Sequence, residues 1–348
     1  MKGRVVVLGQ TRGREAAALV IDGCLEDLLI APGDDQGFLP GAILRGVVDR
    51  QMKGQGGVFV KLPGGAKGFL REAGGLTPGQ ALIVQVSGRA EAGKALPVTL
   101  RVLFKGQLGI VTPLAPGLNI SRRIRDSEER ARLETISAGA MAASTFGLIV
   151  RSAAEGQDEA EILAEVSRLR ELAEAVIADN SGPPELLLDA PMPHAEAWRD
   201  WSDPAPDDVA EGPDTFLTHG IEEMIDALLT PEVPLAGGGN MCIEPTRALI
   251  AVDINTGNDT SPAASLKANI AAARELPRQL RLRGLGGQIV VDFAPMPKKD
   301  RATLDQQLRT AFKGEAAETS LAGWTPLGNF EIQRKRDRIA LTDLLKGA

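Results

Sequence analysis

Two aspartates, each at the end of an apolar strand pattern, are the candidate catalytic residues of this sequence. Asp253 and Asn255 end the first pattern, and Asp292 ends the second. A helical pattern over residues 264–283 joins them, and a strand-helix-strand unit normally closes as a right-handed crossover with parallel strands. The sequence therefore predicts that the two carboxylates meet at the carboxyl edge of one sheet.

Two carboxylates placed side by side repel each other unless a cation or a proton lies between them. Hard oxygen ligands favour Mg²⁺, with Mn²⁺ as the alternative, and Asn255 adds a neutral ligand or positions a phosphate. Such a metal suits phosphodiester hydrolysis. The other interpretation is that each aspartate only caps the loop after its strand. The basic residues expected around the pair are Arg274, Arg278, Arg281, Arg283, Lys298, Lys299 and Arg301.

Several short apolar runs separated by glycines, over residues 37–103, predict a small closed barrel such as an OB-fold. Two of these runs place Phe59 near Lys61 and Phe69 near Lys67. Aromatic rings beside cations are typical of a surface that binds single-stranded nucleic acid. The alternative is that both rings belong to the core.

The remaining segments position these features. Residues 1–35 predict three strands with a turn at Asp22-Gly23, and residues 126–180 predict two helices flanking a strand that ends in Arg151 and Ser152. Residues 192–214, rich in Pro, Asp and Ala, are expected to be an irregular connection, and 235–239 a second break. Pro277 is expected to kink or restart its helix.

The composition excludes several classes of protein. The chain has 348 residues, 43% of them hydrophobic, and its two cysteines are too few for a disulfide framework or a structural zinc site. No apolar run approaches a membrane span, so a cytoplasmic protein is expected. The net charge is −7, yet residues 45–125 carry +10 and residues 155–230 carry −17. This asymmetry indicates a face that binds polyanions on an acidic body, or else a solvated charge pattern without a partner.

The sequence also resembles a known family. Residues 252–257, 278–287 and 290–293 are similar to the catalytic core of the RNase E/G endoribonucleases. Further resemblances cover nearly the whole chain: residues 57–70 to the family's S1-type domain, 120–124 and 149–152 to its 5′-phosphate sensor, and 326–336 to its last conserved stretch.

The resemblance implies an α/β multidomain fold with a divided first unit. Its parts are an RNase H-like unit (1–35 and 183–230) interrupted by an S1-type OB-fold (36–103) and a 5′-sensor region (104–182), followed by a DNase I-like catalytic unit (231–348). It also implies residue roles. Asp253 and Asp292 would ligate the metal beside Asn255, Arg151 and Ser152 would hold a 5′-monophosphate, and the RNA contacts would be Phe59, Lys61, Lys67, Phe69, Arg122 and Arg123.

The chain departs from the family's pattern at a few positions. Ser152 replaces a threonine, Arg247 a glutamate and Ala294-Pro295 a second aspartate motif, and the family's C-P-x-C zinc link is absent. We therefore expect no structural zinc and a monomer or weak dimer rather than a zinc-linked tetramer. The leading hypothesis is a Mg²⁺-dependent endoribonuclease acting on single-stranded RNA, with a preference for 5′-monophosphorylated substrates. A catalytically weakened RNA-binding protein and a DNA nuclease are the alternatives.

Overall fold

Four sheets and their helices make up the part of the chain that the structure, a computed structural model, describes: residues 2–33, 36–51, 56–71, 74–90, 93–259 and 261–346. The fold is α/β, with strands β1–β20 and helices α1–α8 numbered along the chain. Each sheet packs apolar side chains on at least one face, because hydrophobic positions alternate along its strands.

The first sheet joins the start of the chain to a strand from much later in the sequence. Strand β14 pairs parallel to β1, while β1, β2 and β3 form an antiparallel meander. Asp22 and Gly23 adopt positive φ between β2 and β3, which confirms the predicted turn. The strands are β1 (Arg4–Thr11), β2 (Arg14–Ile21), β3 (Cys24–Ile30) and β14 (Asp208–Glu211).

The expectation of an irregular connection over residues 192–214 is wrong. This segment contains α3 (Pro193–Trp201) and then β14. Pro193 lies in the first turn of α3, where its missing N–H costs nothing, and Ala197 and Trp201 bury one helical face against β1 and β2. Two further helices, α4 (Thr215–Thr218) and α5 (Ile221–Leu228), cover the opposite face of the sheet.

The second sheet is the predicted five-stranded barrel, which closes because β4 pairs with both β5 and β7. Gly46 lies where a Cβ would come within 2.5 Å of Val60, so the close approach of β4 and β5 requires glycine. Strand β13 extends the sheet beyond β4. The strands are β4 (Ile43–Gln51), β5 (Val58–Lys61), β6 (Lys67–Leu70), β7 (Ala81–Val86), β8 (Leu96–Thr99) and β13 (Glu185–Leu188).

The third sheet carries the two predicted helices that flank a strand. Helix α1 (Ser127–Met141) begins after Asp126, whose carboxylate accepts a hydrogen bond from the Glu129 N–H at 2.8 Å. Helix α2 (Glu159–Ala178) buries its apolar stripe against the same core. The strands are β9 (Phe104–Lys105), β10 (Gly109–Thr112), β11 (Leu118–Ile120) and β12 (Gly147–Val150).

The fourth sheet has six strands and contains the strand-helix-strand unit predicted from the sequence. Helix α6 (Pro262–Leu282) continues through Pro277 without restarting, and it packs with α7 (Arg301–Phe312) on one face. A short α8 (Leu341–Leu344) follows, and Leu282 and Leu341 enter the core of the first sheet. In spatial order the strands are β15 (Glu232–Pro234), β16 (Asn240–Pro245), β17 (Ile250–Asn255), β18 (Gly287–Asp292), β20 (Phe330–Arg334) and β19 (Thr319–Trp324). The predicted break at residues 235–239 is the turn between β15 and β16.

Candidate active site at the carboxyl edge of the six-stranded sheet

Asp253 and Asp292 lie directly beside each other on neighbouring strands. Strands β17 and β18 are parallel, and their register pairs Asp253 with Asp292. Buried and exposed residues alternate along both strands, so Val252 and Val291 face the helices while the two aspartates lie on the exposed face. The predicted meeting of the two carboxylates is therefore confirmed in its geometry.

Asn255 shares this exposed face with Asp253. Its side-chain Nδ2 donates a hydrogen bond to Asp253 Oδ2 at 2.7 Å, which leaves the other carboxylate oxygen available for another partner. The hydrogen bond also fixes the orientation of the Asp253 side chain. Asn255 thus acts on the site through Asp253.

Cys242 is the neighbour of Asp253 on the other side, because β16 and β17 pair these two residues. Partial burial raises the pKa of the Cys242 thiol, and the negative charges of Glu244, Asp253 and Glu232 raise it further. The residue therefore remains a neutral thiol at neutral pH and adds no charge to the carboxylate pair.

Asn269 supports the loop after Asp292, a role that the sequence analysis missed. This fully buried side chain on α6 donates to the Ala294 carbonyl and accepts from the Ala294 N–H, both at 2.9 Å. The pair of bonds satisfies both backbone groups and fixes the chain two residues beyond Asp292. The available signal was a polar residue on the apolar stripe of a predicted helix, between Ala268 and Ala272.

The predicted ring of cations around the aspartates is wrong for three of its members. Arg278, Arg281 and Arg283 lie at the carboxyl end of α6, and β18 begins directly after that end. They are therefore at the opposite edge of the sheet from the carboxylates, because α6 runs antiparallel to the two strands that it connects. Sequence proximity to Asp292 does not correspond to proximity in space here.

Other predicted cations do follow the carboxyl edge. Lys298 and Lys299 are exposed in the turn after β18, and Arg301 begins α7. The Arg301 guanidinium lies 4.3 Å from the centre of the Trp324 ring, at the end of β19. A positive charge is thus held against an aromatic ring at the same edge as Asp292.

The barrel presents two phenylalanines and two lysines as cross-strand pairs. Phe59 pairs with Phe69, and Lys61 pairs with Lys67. The two rings are half-buried with centroids 5.4 Å apart, while the core of the barrel is filled by other side chains of the same strands. The lysines are exposed, and Lys61 lies 3.3 Å from the Asp49 carboxylate. The structure therefore places these rings on the outside of the barrel, where a ligand can reach them.

The two residues predicted to hold a 5′-phosphate are adjacent on the third sheet. Arg151 follows β12, and Ser152 begins the next turn. Arg123 is exposed and lies in an ion pair with Asp203, and Arg122 is exposed beside it. The donors of Arg151 contact Arg199 and Asp200 of α3, and the Ser152 hydroxyl donates to Asp203 just after that helix.

The sequence matches a known protein family along most of its length. The family model described as Ribonuclease E/G family matches residues 104–211 and 208–337, which is most of the chain. The chain belongs to the ribonuclease E/G family. Ribonuclease E of Nostoc sp. is 28% identical over 92% of this chain and 54% of its own length. Ribonuclease G of Haemophilus influenzae is 26% identical over 98% of this chain and 81% of its own, and Ribonuclease G of Escherichia coli K12 is 29% identical over 77% and 62%. The chain spans about half the length of the curated ribonucleases E of Nostoc and Synechocystis.

In this member of the ribonuclease E/G family, the arginine-rich end of α6 has a structural role. Arg281 forms ion pairs with Glu26 and Glu315, and the fully buried Arg334 reaches the same Glu315 at 3.0 Å. Arg278 donates to the Leu25 carbonyl of β3. These contacts join the six-stranded sheet to the first sheet, so the motif fixes the relative position of two parts of the molecule.

Two further observations bear on ligands and location. Within the described ranges, no group of three or more His, Cys, Asp and Glu side chains is arranged to hold a metal ion. The described helices also include none that is long and apolar enough to cross a membrane.

Proposed function

We propose that this chain is a Mg²⁺-dependent endoribonuclease that cleaves single-stranded RNA and favours substrates with a 5′-monophosphate. The observation that carries the proposal is the register pairing of Asp253 with Asp292 on the exposed face of β17 and β18. Membership of the ribonuclease E/G family supports RNA as the substrate. The products should carry 5′-phosphate and 3′-hydroxyl ends.

The donor set fits a magnesium ion. Mg²⁺ is usually held by one or two carboxylates and keeps several waters, and the two exposed, neighbouring aspartates suit such a site. Mn²⁺ suits the same oxygen ligands. When bound, such an ion lowers the pKa of a bound water and neutralises charge that develops on the phosphate. A structural zinc site would require four cysteine or histidine ligands, and we propose none for this chain.

The protein's own side chains then orient the substrate. Asn255 keeps the Asp253 carboxylate in one orientation through its 2.7 Å hydrogen bond. Lys298 and Lys299 offer positive charge for the RNA backbone just beyond Asp292. The Phe59–Phe69 pair offers a stacking platform for bases, flanked by Lys61 and Lys67.

We further propose a division of the chain into units. Residues 1–35 and 183–230 form an RNase H-like unit, residues 36–103 an S1-type OB-fold, residues 104–182 the 5′-sensor region with Arg122 and Arg123 on its surface, and residues 231–348 a DNase I-like catalytic unit. The pairing of β14 with β1 across the intervening segments supports a divided first unit. The closed five-stranded barrel supports the S1-type assignment.

The decisive experiment is cleavage of a defined RNA by the purified chain. A 5′-monophosphorylated single strand, labelled at its 3′ end, is incubated in Mg²⁺ and in EDTA with the wild type, Asp253→Asn and Asp292→Asn. We expect cleavage by the wild type in Mg²⁺ alone and less than a tenth of that rate in either variant. Glu244→Gln is the matched control, because it removes an exposed carboxylate from the neighbouring strand β16. A rate in EDTA equal to that in Mg²⁺, or an active Asp292→Asn, would refute the metal site.

Two alternatives are separated in the same assay. A chain that binds the labelled RNA through Phe59 but cleaves nothing in Mg²⁺ or Mn²⁺ is a catalytically weakened RNA-binding protein. A DNA nuclease would cleave a deoxyribose strand of the same sequence at a comparable rate. The endoribonuclease proposal requires cleavage of the ribose strand and a much slower reaction on the deoxyribose strand.

A further inference from the structure

The donors expected to hold a 5′-phosphate are engaged by carboxylates of the same chain. Arg151 donates to the carbonyls of Gly106 and Arg199 at 2.7 and 2.9 Å, and its other terminal nitrogen donates to Asp200 Oδ1 at 2.9 Å. The Ser152 hydroxyl donates to Asp203 Oδ2 at 2.5 Å. The same oxygen of Asp203 lies 3.3 Å from the Arg123 guanidinium.

These contacts resemble those that a terminal phosphate would make. A terminal phosphate presents anionic oxygens to guanidinium and hydroxyl groups. Here two carboxylates supply anionic oxygens to the guanidinium groups of Arg151 and Arg123 and to the Ser152 hydroxyl. Asp200 lies in the last turn of α3 and Asp203 lies two residues beyond its end, so both acids come from one segment. That segment is separated in sequence from the sensor region that it contacts.

Both carboxylates are accessible, and the surroundings of Asp200 favour its charged form. Burial alone would raise the pKa of Asp200, but hydrogen bonds and the positive charges of Arg199 and Arg151 outweigh it and lower the pKa. The side chains of Asp200 and Asp203 remain 37% and 29% exposed, so solvent reaches both. A ligand can therefore compete with them for their partners.

The acidic groups offset much of the positive charge of this cluster. Its cations are Lys105, Arg123, Arg151 and Arg199, with Arg4 close enough to interact with Asp203, and its acidic groups are Glu196, Asp200 and Asp203. A terminal phosphate carries a charge of about −1.5 to −2 at neutral pH and has to displace the two aspartates or be repelled by them. Either event weakens binding of the phosphate relative to a site without them.

We propose that Asp200 and Asp203 are specificity-determining residues that compete internally with a substrate's 5′-phosphate for Arg151, Ser152 and Arg123. This inference rests on the proposed function, because it concerns the 5′-phosphate site of that enzyme. It predicts that the wild-type chain keeps only a weak preference, below about threefold, for 5′-monophosphorylated over 5′-hydroxyl RNA. Removing the two charges restores the discrimination.

The test is a binding measurement that needs no cleavage. Affinities for 5′-monophosphorylated and 5′-hydroxyl strands of one sequence are measured in EDTA by fluorescence anisotropy, for the wild type and for the double variant Asp200→Asn with Asp203→Asn. Each asparagine keeps the shape and one acceptor oxygen of the residue that it replaces. We expect an affinity ratio below about threefold in the wild type and about tenfold or more in the double variant, since one recovered charge-assisted hydrogen bond contributes about tenfold.

Two controls identify the cause of any change. Glu155→Gln with Asp158→Asn removes two exposed carboxylates from the turn and helix start that follow Ser152, and it should leave the ratio at the wild-type value. Adding Arg151→Ala to the double variant should abolish the gained preference. Asp203→Asn alone keeps the Asp200 contact with Arg151, and it carries the test, with a smaller gain, if the double variant does not fold.

The outcomes separate this inference from the proposed function. An unchanged ratio in folded variants, or a wild type that already prefers the phosphorylated strand tenfold, overturns the inference even if Mg²⁺-dependent cleavage is observed. A chain that cleaves no RNA but shows the rise in ratio retains the inference about the phosphate site and refutes the nuclease.

Discussion

Replacing Asp292 by asparagine should stabilise the metal-free protein while it removes the response to Mg²⁺. Asp253 and Asp292 are register partners on parallel strands, and like charges in that position destabilise a sheet. Asparagine has nearly the same shape as aspartate and removes one of the two charges. The fold should therefore gain stability from a change that abolishes the proposed activity.

The size of the gain follows from the spacing of the strands. Neighbouring strands lie about 4.8 Å apart, and two unit charges at about 5 Å repel by ~0.8 kcal/mol in water and ~3 kcal/mol at an effective dielectric constant of ~20. Both carboxylates are exposed, so we expect a value near the lower limit, about 1 kcal/mol. An increase in Tm of about 2–4 °C corresponds to that free energy in a domain of moderate size.

The assay is thermal unfolding in EDTA and in increasing Mg²⁺. In EDTA the variant should melt above the wild type, and the difference should shrink at molar salt, where the Debye length is about 3 Å. Added Mg²⁺ should raise the Tm of the wild type only. At a Mg²⁺ concentration ten times the Kd, the free energy of unfolding of the wild type should increase by about 1.4 kcal/mol. Glu244→Gln should retain the Mg²⁺ response. A variant that melts below the wild type in EDTA would show that Asp292 caps its loop, and the electrostatic reasoning would fail.

Four further predictions concern the barrel, the contacts between the first and fourth sheets, and the loop after Asp292. Phe59→Ala should weaken binding of single-stranded RNA by about 1–3 kcal/mol with little change in Tm; a collapse of Tm would place the ring in the core. Glu315→Gln should lower the free energy of unfolding in urea by about 3–5 kcal/mol, because the buried Arg334 and the partly buried Arg281 lose the carboxylate that they share; an unchanged free energy of unfolding would show that this network does not stabilise the fold. Asn269→Leu should lower kcat and raise the Mg²⁺ concentration for half-maximal cleavage without changing the affinity for RNA. Equal losses in kcat and in RNA affinity would instead indicate general disruption of the fold. Burial alone would raise the pKa of Asp27, but the charge and hydrogen bond of Arg338 outweigh it and lower the pKa, so the stability from this pair is present above about pH 4 and is lost as the pH falls through the lower native pKa; Asp27→Asn should remove that acid-dependent loss in a pH series of urea midpoints.

The sequence predicts the carboxylate pair because every step of that inference is local or follows a general rule. Apolar runs define β17 and β18, the periodicity between them defines α6, and a crossover through such a helix joins parallel strands. The barrel is predicted for the same reason, since short apolar runs and glycines mark its strands. Asn269 was missed because its role depends on the loop that it contacts and not on its own neighbours in sequence.

The elements that the sequence failed to predict depend on distant partners. Strand β14 pairs with β1, which lies far from it in the sequence, and its own residues carry no continuous apolar pattern. Helix α3 is short and anchored by Ala197 and Trp201, amid prolines and acids that indicate a loop. In both cases tertiary pairing outweighs local composition.

Ion pairs in the structure connect the basic segment of the chain (45–125) with its acidic segment (155–230). Arg45, from the basic segment, lies in ion pairs with Asp179 and Glu185, and Arg123 of the same segment pairs with Asp203. Part of the basic segment is therefore neutralised by the acidic segment and is not available to a polyanion. The cations that remain exposed on the barrel lie beside its paired phenylalanines, which favours the barrel as the surface where RNA first binds. Under the proposed function, the acidic segment then lowers the number of cations elsewhere that compete with the barrel for the first contact with the RNA backbone.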